Sequence, residues 1–168
     1  DALLQKADFS AAELDGASLV GASADGAKFV GSRMQKIDAS KADFSGGDFS
    51  GADLSGAMLA GTVFAGSRMA GLQAKACVAD KASFEDCDLS GAVFGESRCN
   101  GARFNGADLQ QANFAAASAE KAEFFGVNAA NASFAGANLG ASRANASSQF
   151  PEANFRGASL QMANWGGV

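Results

Sequence analysis

At 168 residues, with 48% apolar and 18% charged content, the chain has the composition of one packed domain and not of a disordered segment. A net charge of −5 excludes an unspecific nucleic-acid grip through a basic surface, and three cysteines, an odd count, exclude a fully paired secretory disulfide framework. No apolar run is long enough to span a membrane, and no basic stretch leads into an apolar one as in a cleavable signal.

The chain begins at Asp1, already inside a repeat and without a methionine, which reads as a processed product or a domain cut from a longer protein. The period is five residues. Apolar centres recur from Leu4 and Phe9 through Leu14, Leu19, Phe29 and Met34 to Phe44, Phe49, Leu54, Leu59 and Phe64. They continue in phase through Phe84, Leu89, Phe94, Phe104, Phe114, Phe124, Phe134 and Leu139 to Ala144. One extra residue enters at 145–149, near Ser147 and Ser148, and the phase resumes at Phe150, Phe155, Leu160 and Trp165. That makes 33 centres, and the residue two places before the centre is alanine at 21 of them. Neither column holds any of the 13 Lys and Arg or 18 Asp and Glu, so both point inward, where an unpaired charge is too costly to bury.

A helix requires apolar recurrence at three and four residues and a plain strand at two. Five fits neither. It fits a polygonal coil in which each pentapeptide makes one side and turns one corner, eased by the glycine common two places after the centre. The copies Ala7-Asp8-Phe9-Ser10, Ala42-Asp43-Phe44-Ser45-Gly46, Ala52-Asp53-Leu54-Ser55-Gly56, Ala107-Asp108-Leu109, Ala112-Asn113-Phe114, Ala137-Asn138-Leu139 and Ala153-Asn154-Phe155 carry a resemblance over nearly the whole chain. They resemble the pentapeptide repeat family, whose signature is Ala-(Asp/Asn)-Leu-X-X or its phenylalanine version. The resemblance implies an all-β fold, a right-handed quadrilateral parallel β-helix with four pentapeptides to a coil. A single solenoid domain over 1–168 then has about eight coils and a length of roughly 40 Å. The hexapeptide β-helix is a poor rival, because its period is six.

With twenty residues to a coil, residues i and i+20 stack. The column Asp8, Lys28, Asp48, Arg68, Asp88, Asp108 alternates in sign until Asp88 and Asp108 stack as like charges, and Lys28, Arg33 and Arg68 are each expected between acids one coil above and below. The couplets Ser32-Arg33, Ser67-Arg68, Ser97-Arg98 and Ser142-Arg143 fall on four different faces and read as a structural variant of the repeat. A period of forty places Lys41, Lys81 and Lys121 on one edge, on alternate coils about 10 Å apart. Phe125 is the one phenylalanine that is not a centre and is expected to face outward, while Met58 and Val78 stack in an outward column. These six residues form the candidate interaction surface.

Enzyme chemistry is not expected. Histidine is absent, Cys77, Cys87 and Cys99 fall in inward columns, and no cofactor or metal site is legible. The resemblance implies one of two functions: a rigid scaffold that binds a protein partner, as in bacterial effectors and secretion-associated proteins, or a DNA mimic that binds DNA gyrase, of the quinolone-resistance type. A mimic needs uncompensated acids spaced like phosphates. Its best candidates are Asp48, Asp88 and Asp108, a column that Lys28 and Arg68 interrupt. Repeat running to both termini argues for flanking domains or an end-to-end homodimer. The expected location is the bacterial cytoplasm, or delivery by a secretion system without a cleavable signal.

Overall fold

The computed structural model describes residues 2–168. In the copy that begins at Ala7, Phe9 donates its N–H to the carbonyl of Lys28 at 2.7 Å, and Lys28 donates to the carbonyl of Ala7 at 2.9 Å. Each side of the coil is therefore a short parallel pairing with the coil above. The carbonyl of Phe9 then accepts the N–H of Ala12 at 3.0 Å, closing a corner in which Ala11 has φ of 56°. A positive φ at the third residue of the turn and not at the second is the signature of a type II turn. Left-handed corners recur at every fifth residue from Lys6 to Ala141, at glycine and non-glycine alike.

Pairings join residues twenty apart from Leu3 with Ser23 up to Glu123 with Arg143, all parallel. From Asn128 with Gln149 onward the spacing is twenty-one, ending in β1 (Arg143–Ala144) against β2 (Asn164–Trp165). The extra residue sits where the sequence places it. Its corner, closed from Ser148 N–H to Asn145 carbonyl at 2.9 Å, contains no left-handed residue. Side chains complete the pairing there. Gly126 donates its N–H to the Ser148 hydroxyl and the Asn145 side-chain oxygen, and the Ser148 hydroxyl donates to the carbonyl of Phe124 at 2.7 Å.

The two inward columns fill the interior. Phe44, Phe64, Phe84, Phe104 and Phe124 form one stack, with ring centroids 5.1 to 5.5 Å apart, and Phe94, Phe114, Phe134 and Phe155 form another. Neighbouring stacks meet edge to face, as Phe104 and Phe114 do at 5.4 Å. Each buried phenylalanine contributes about 1.5–3 kcal/mol, and favourable ring pairs add about 0.5–1.5 kcal/mol. No ionisable Asp, Glu, Lys or Arg is buried among the described residues. No helix of the described residues is long and apolar enough to cross a membrane.

Candidate interaction surface

Corner geometry explains what most of the acids do. The N–H just after the centre, missing at Pro151, takes no part in the backbone ladder and is open to a side-chain acceptor. Asp8 supplies one to Ser10, taking its N–H at 3.0 Å and its hydroxyl at 2.6 Å. Asp43 with Ser45, Asp48 with Ser50 and Asp88 with Ser90 repeat the pair, while Asn113, Asn138 and Asn154 cap the N–H alone. A second form reaches one coil on, as Asp15 does to Gln35 N–H and Asp80 to Asn100 N–H. The Asp of the repeat is thus a local cap, an arrangement that suits its short side chain.

These contacts lower several carboxyl pKa values. The Ser10 hydroxyl and N–H hold Asp8 below its ordinary value. At Asp48 and Asp53 burial pushes upward, but hydrogen bonds from Ser50 and Ser55, with Arg68 and Gln35 assisting, outweigh it. Glu123 is lowered first by the Asn105 amide, against burial, and then by Arg143.

The acidic column stands as a ladder of paired residues: Asp8, Lys28, Asp48, Arg68, Asp88, Asp108, then Asn128 and Gln149. Asp88 and Asp108 are the like-charged neighbours, and Gln110 donates its N–H to Asp108. Arg68 pairs with Asp48 at 3.1 Å, as the column predicts. Lys28 and Arg33 likewise lie in register between their two acids, as expected, but position in the column does not set the ion pairs. Arg33 passes over Glu13 and Asp53 and meets Asp15 at 2.8 Å, and Lys28 makes no ion pair among the described residues. Arg98 with Asp80 and Arg103 with Glu85 show the same diagonal, toward the residue after the centre in the preceding coil. A guanidinium is long enough to seek the fork of a carboxylate across the face.

All four couplet arginines are paired, with Asp15, Asp48, Asp80 and Glu123, and each on its own face. Their serines are buried. Ser32 and Ser142 donate to the carbonyl three residues back, and Ser67 donates to Phe44 and accepts from Gly47. Both halves of the couplet are therefore occupied inside the coil.

Lys41, Lys81 and Lys121 occupy left-handed corners of one edge, exposed, with φ of 61°, 58° and 59°. Gly61 and Gly101 lie between them, and the Lys41 and Lys81 stems lean over the space that a Cβ on those glycines would take. None of the three lysines makes an ion pair among the described residues. Met58 is 46% exposed and pairs in register with the half-buried Val78. Phe125 faces outward but is only half-exposed, because the Arg143 guanidinium lies 5.4 Å from its ring centroid. The structure thus brings Met58, Val78, Lys41 and Lys81 together, with Lys121 farther along the edge and Phe125 partly covered. Sequence reasoning missed Val63, Ala60 and Ala65, which continue the Met58 strip round the corner; the signal was the loss of Asp just before the centres, at 58, 63 and 68, and of Ser just after them, at 60, 65 and 70.

The thiols are buried and unpaired. Burial pushes Cys87 up to about 12, and contact with Cys99, with burial, raises Cys77 well above the ordinary thiol value. Neither is a nucleophile at neutral pH.

A family model described as pentapeptide repeats matches the chain in eight copies, over residues 2–38, 40–71 and 82–118. No curated protein sequence matches. Among solved structures the chain is similar to QnrB1, a plasmid-mediated fluoroquinolone resistance protein, at 21% identity and a TM-score of 0.68, covering 99% of this chain and 86% of that one. It is also similar to HetL, a pentapeptide repeat protein involved in heterocyst differentiation regulation from the cyanobacterium Nostoc, at 22% identity and a TM-score of 0.54, covering 97% and 86%. At these identities the likeness shows the fold: a right-handed quadrilateral parallel β-helix.

Proposed function

The chain belongs to the pentapeptide repeat family, and on that premise we propose that it is a non-enzymatic scaffold that presents its outer columns to a protein partner. One observation carries this: the acids of the repeat cap their own corners and pair with their own arginines, whereas Lys41, Lys81 and Lys121 are left without acidic partners among the described residues. The chain has no histidine, its described thiols are buried, and those of Cys77 and Cys87 are held well above the ordinary thiol value, which supports a binding role over nucleophilic or general-base chemistry. A module of a bacterial effector or secretion-associated protein is the finer form of the proposal. A parent gene with no flanking domain argues against it.

The second function, gyrase binding as a DNA mimic, draws on the likeness to a fluoroquinolone resistance protein and on the stacked Asp88 and Asp108. The column around them is neutralised at Lys28 and Arg68 and ends in Asn128 and Gln149, so it offers no long phosphate-like run. A gyrase supercoiling assay separates the two. The scaffold predicts no effect of added protein, and inhibition or protection from a quinolone at low micromolar concentration overturns it. A second copy is the partner we propose for the apolar side chains of the last coil, Leu160 and Met162, which are 42% and 86% exposed. Size-exclusion chromatography at two concentrations tests this, and a monomer at both removes it.

A further inference from the structure

The caps on the outward N–H groups are not spread evenly. Asp38, Asp43, Asp48 and Asp53 cap Ser40, Ser45, Ser50 and Ser55, and caps resume when Asp88 takes Ser90. Between them the N–H groups of Ala60, Ala65, Ala70, Lys75, Asp80 and Glu85 have no protein acceptor among the described residues. The capping column there holds Met58, Val63, Arg68, Gln73, Val78 and Ser83, of which none takes the N–H two residues on.

A shorter lapse runs from Asp15 to Val30, but in the longer one the N–H groups of Ala60 and Ala65, and of Asp80 and Glu85 one coil on, flank the lysine edge. Met58 and Ala60 approach the Gly61 corner from one face, and Val63 and Ala65 leave it on the next. Lys41 stands one coil before Gly61 and Lys81 one coil after, both unpaired, and Lys41 Cγ lies 3.8 Å from where a Gly61 Cβ would be. The strip therefore offers outward N–H donors, two ammonium groups about 10 Å apart and an apolar floor between them.

Those three features together select a ligand with free carbonyls, carboxylates at matching spacing and apolar side chains. An α-helix spends its carbonyls internally. A polyproline II segment leaves them free and returns to the same face every three residues, about 9.3 Å, against about 9.6 Å for two coils. We propose that the edge from Lys41 to Lys81 docks a polyproline II-like segment of a partner protein that carries an acidic residue at every third position and apolar residues between. This rests on the scaffold function and names its surface and the chemistry of its partner.

The test is fluorescence polarisation of a labelled peptide, four copies of Glu-Pro-Leu, against the whole chain, with the Gln-Pro-Leu and Lys-Pro-Leu versions beside it. The glutamate peptide is expected to bind at least about tenfold more tightly than the lysine version and to weaken as salt rises. The double variant Val63→Asp/Ala65→Ser installs the cap seen at Asp43 and Ser45. The new cap and the like charge it sets over Asp43 oppose one another in stability, so the variant is expected to stay folded while weakening the peptide about tenfold or more, by filling the N–H and adding a repelling charge. If that variant fails to fold, Lys41→Gln/Lys81→Gln decides the question, since both side chains are exposed; it should weaken binding by about tenfold, and Lys36→Gln on another edge should not. Equal binding of the glutamate and lysine peptides, or binding unchanged by both double variants, overturns the proposal. A natural partner that still binds both double variants but is lost on altering another face leaves the scaffold standing and removes this edge.

Discussion

The carboxylate of Asp48 accepts both the N–H and the hydroxyl of Ser50, at 3.1 and 2.7 Å, and holds Arg68 of the next coil at 3.1 Å. One side chain thus closes its own corner and links two coils. Asp48→Ala removes all three contacts and is expected to cost about 1–2 kcal/mol, the ion pair itself supplying the smaller part because Arg68 is well exposed. Arg68→Glu, which sets a third like charge between Asp48 and Asp88, should lower the melting temperature by less than Asp48→Ala does. Thermal unfolding followed by circular dichroism checks both, and an unchanged midpoint in the two variants would sink the cap as a stabilising device.

Acid should loosen the coil. Asp8, Asp48, Asp53 and Glu123 have folded pKa values below their ordinary ones, so the unfolded chain binds more protons and stability rises with pH. Their contribution is complete above the ordinary carboxylate range, about 4 to 4.5, and is lost as pH falls through the depressed folded values. Midpoints measured from pH 7 to pH 2 should be level and then fall. In Asp48→Asn/Asp53→Asn the fall should be shallower, and an unchanged slope contradicts the assignment.

The corners separate backbone strain from packing. Gly71 has φ of 68° with nothing within 4 Å of an added Cβ, so Gly71→Ala is expected to destabilise through left-handed strain alone, by about 1–2 kcal/mol. The converse, Ala76→Gly, relieves a φ of 55° and should raise the midpoint, by up to about 2–4 °C if about 1 kcal/mol is recovered.

Gly47 inverts the consensus. Alanine is the commonest residue at its place in the repeat, yet a Cβ there would stand 2.9 Å from the Phe44 carbonyl and 3.0 Å from the Phe49 ring. Gly47→Ala should therefore cost about 1–3 kcal/mol, where a repeat-consensus argument expects a gain. A raised midpoint would refute the packing argument.

Trp165 holds the last coil. Its ring stacks on Phe150 at 4.7 Å, reaches past Ala144 to Phe124 at 6.1 Å, and donates Nε1–H to the buried Ser142 hydroxyl at 3.0 Å. Trp165→Ala should speed hydrogen exchange in residues 145–165 and leave the middle coils protected, because contacts in a solenoid pass only to neighbours. Uniform loss of protection would mean that the coil unfolds as one unit.

The inward columns, the extra residue before Phe150 and the stacking of Met58 on Val78 were legible in the sequence, because a five-residue period with parallel register fixes which way each Cβ points and what lies above it. A column cannot show how far a side chain travels. Arg33 therefore reached Asp15 and not its vertical neighbours, and Arg143 came to lie over Phe125, since a long guanidinium chooses among acceptors and rings across a whole face. Nor does a column show where the N–H after each centre points. Only the folded corner aims it outward, which turns the Asp of the repeat into a cap and makes the bare stretch beside Lys41 and Lys81 visible. The sequence by itself determined the coil, because burial of a repeated apolar pair admits one geometry; the tertiary structure decided which polar groups are already occupied, because that depends on distances of a few ångströms that periodicity does not encode.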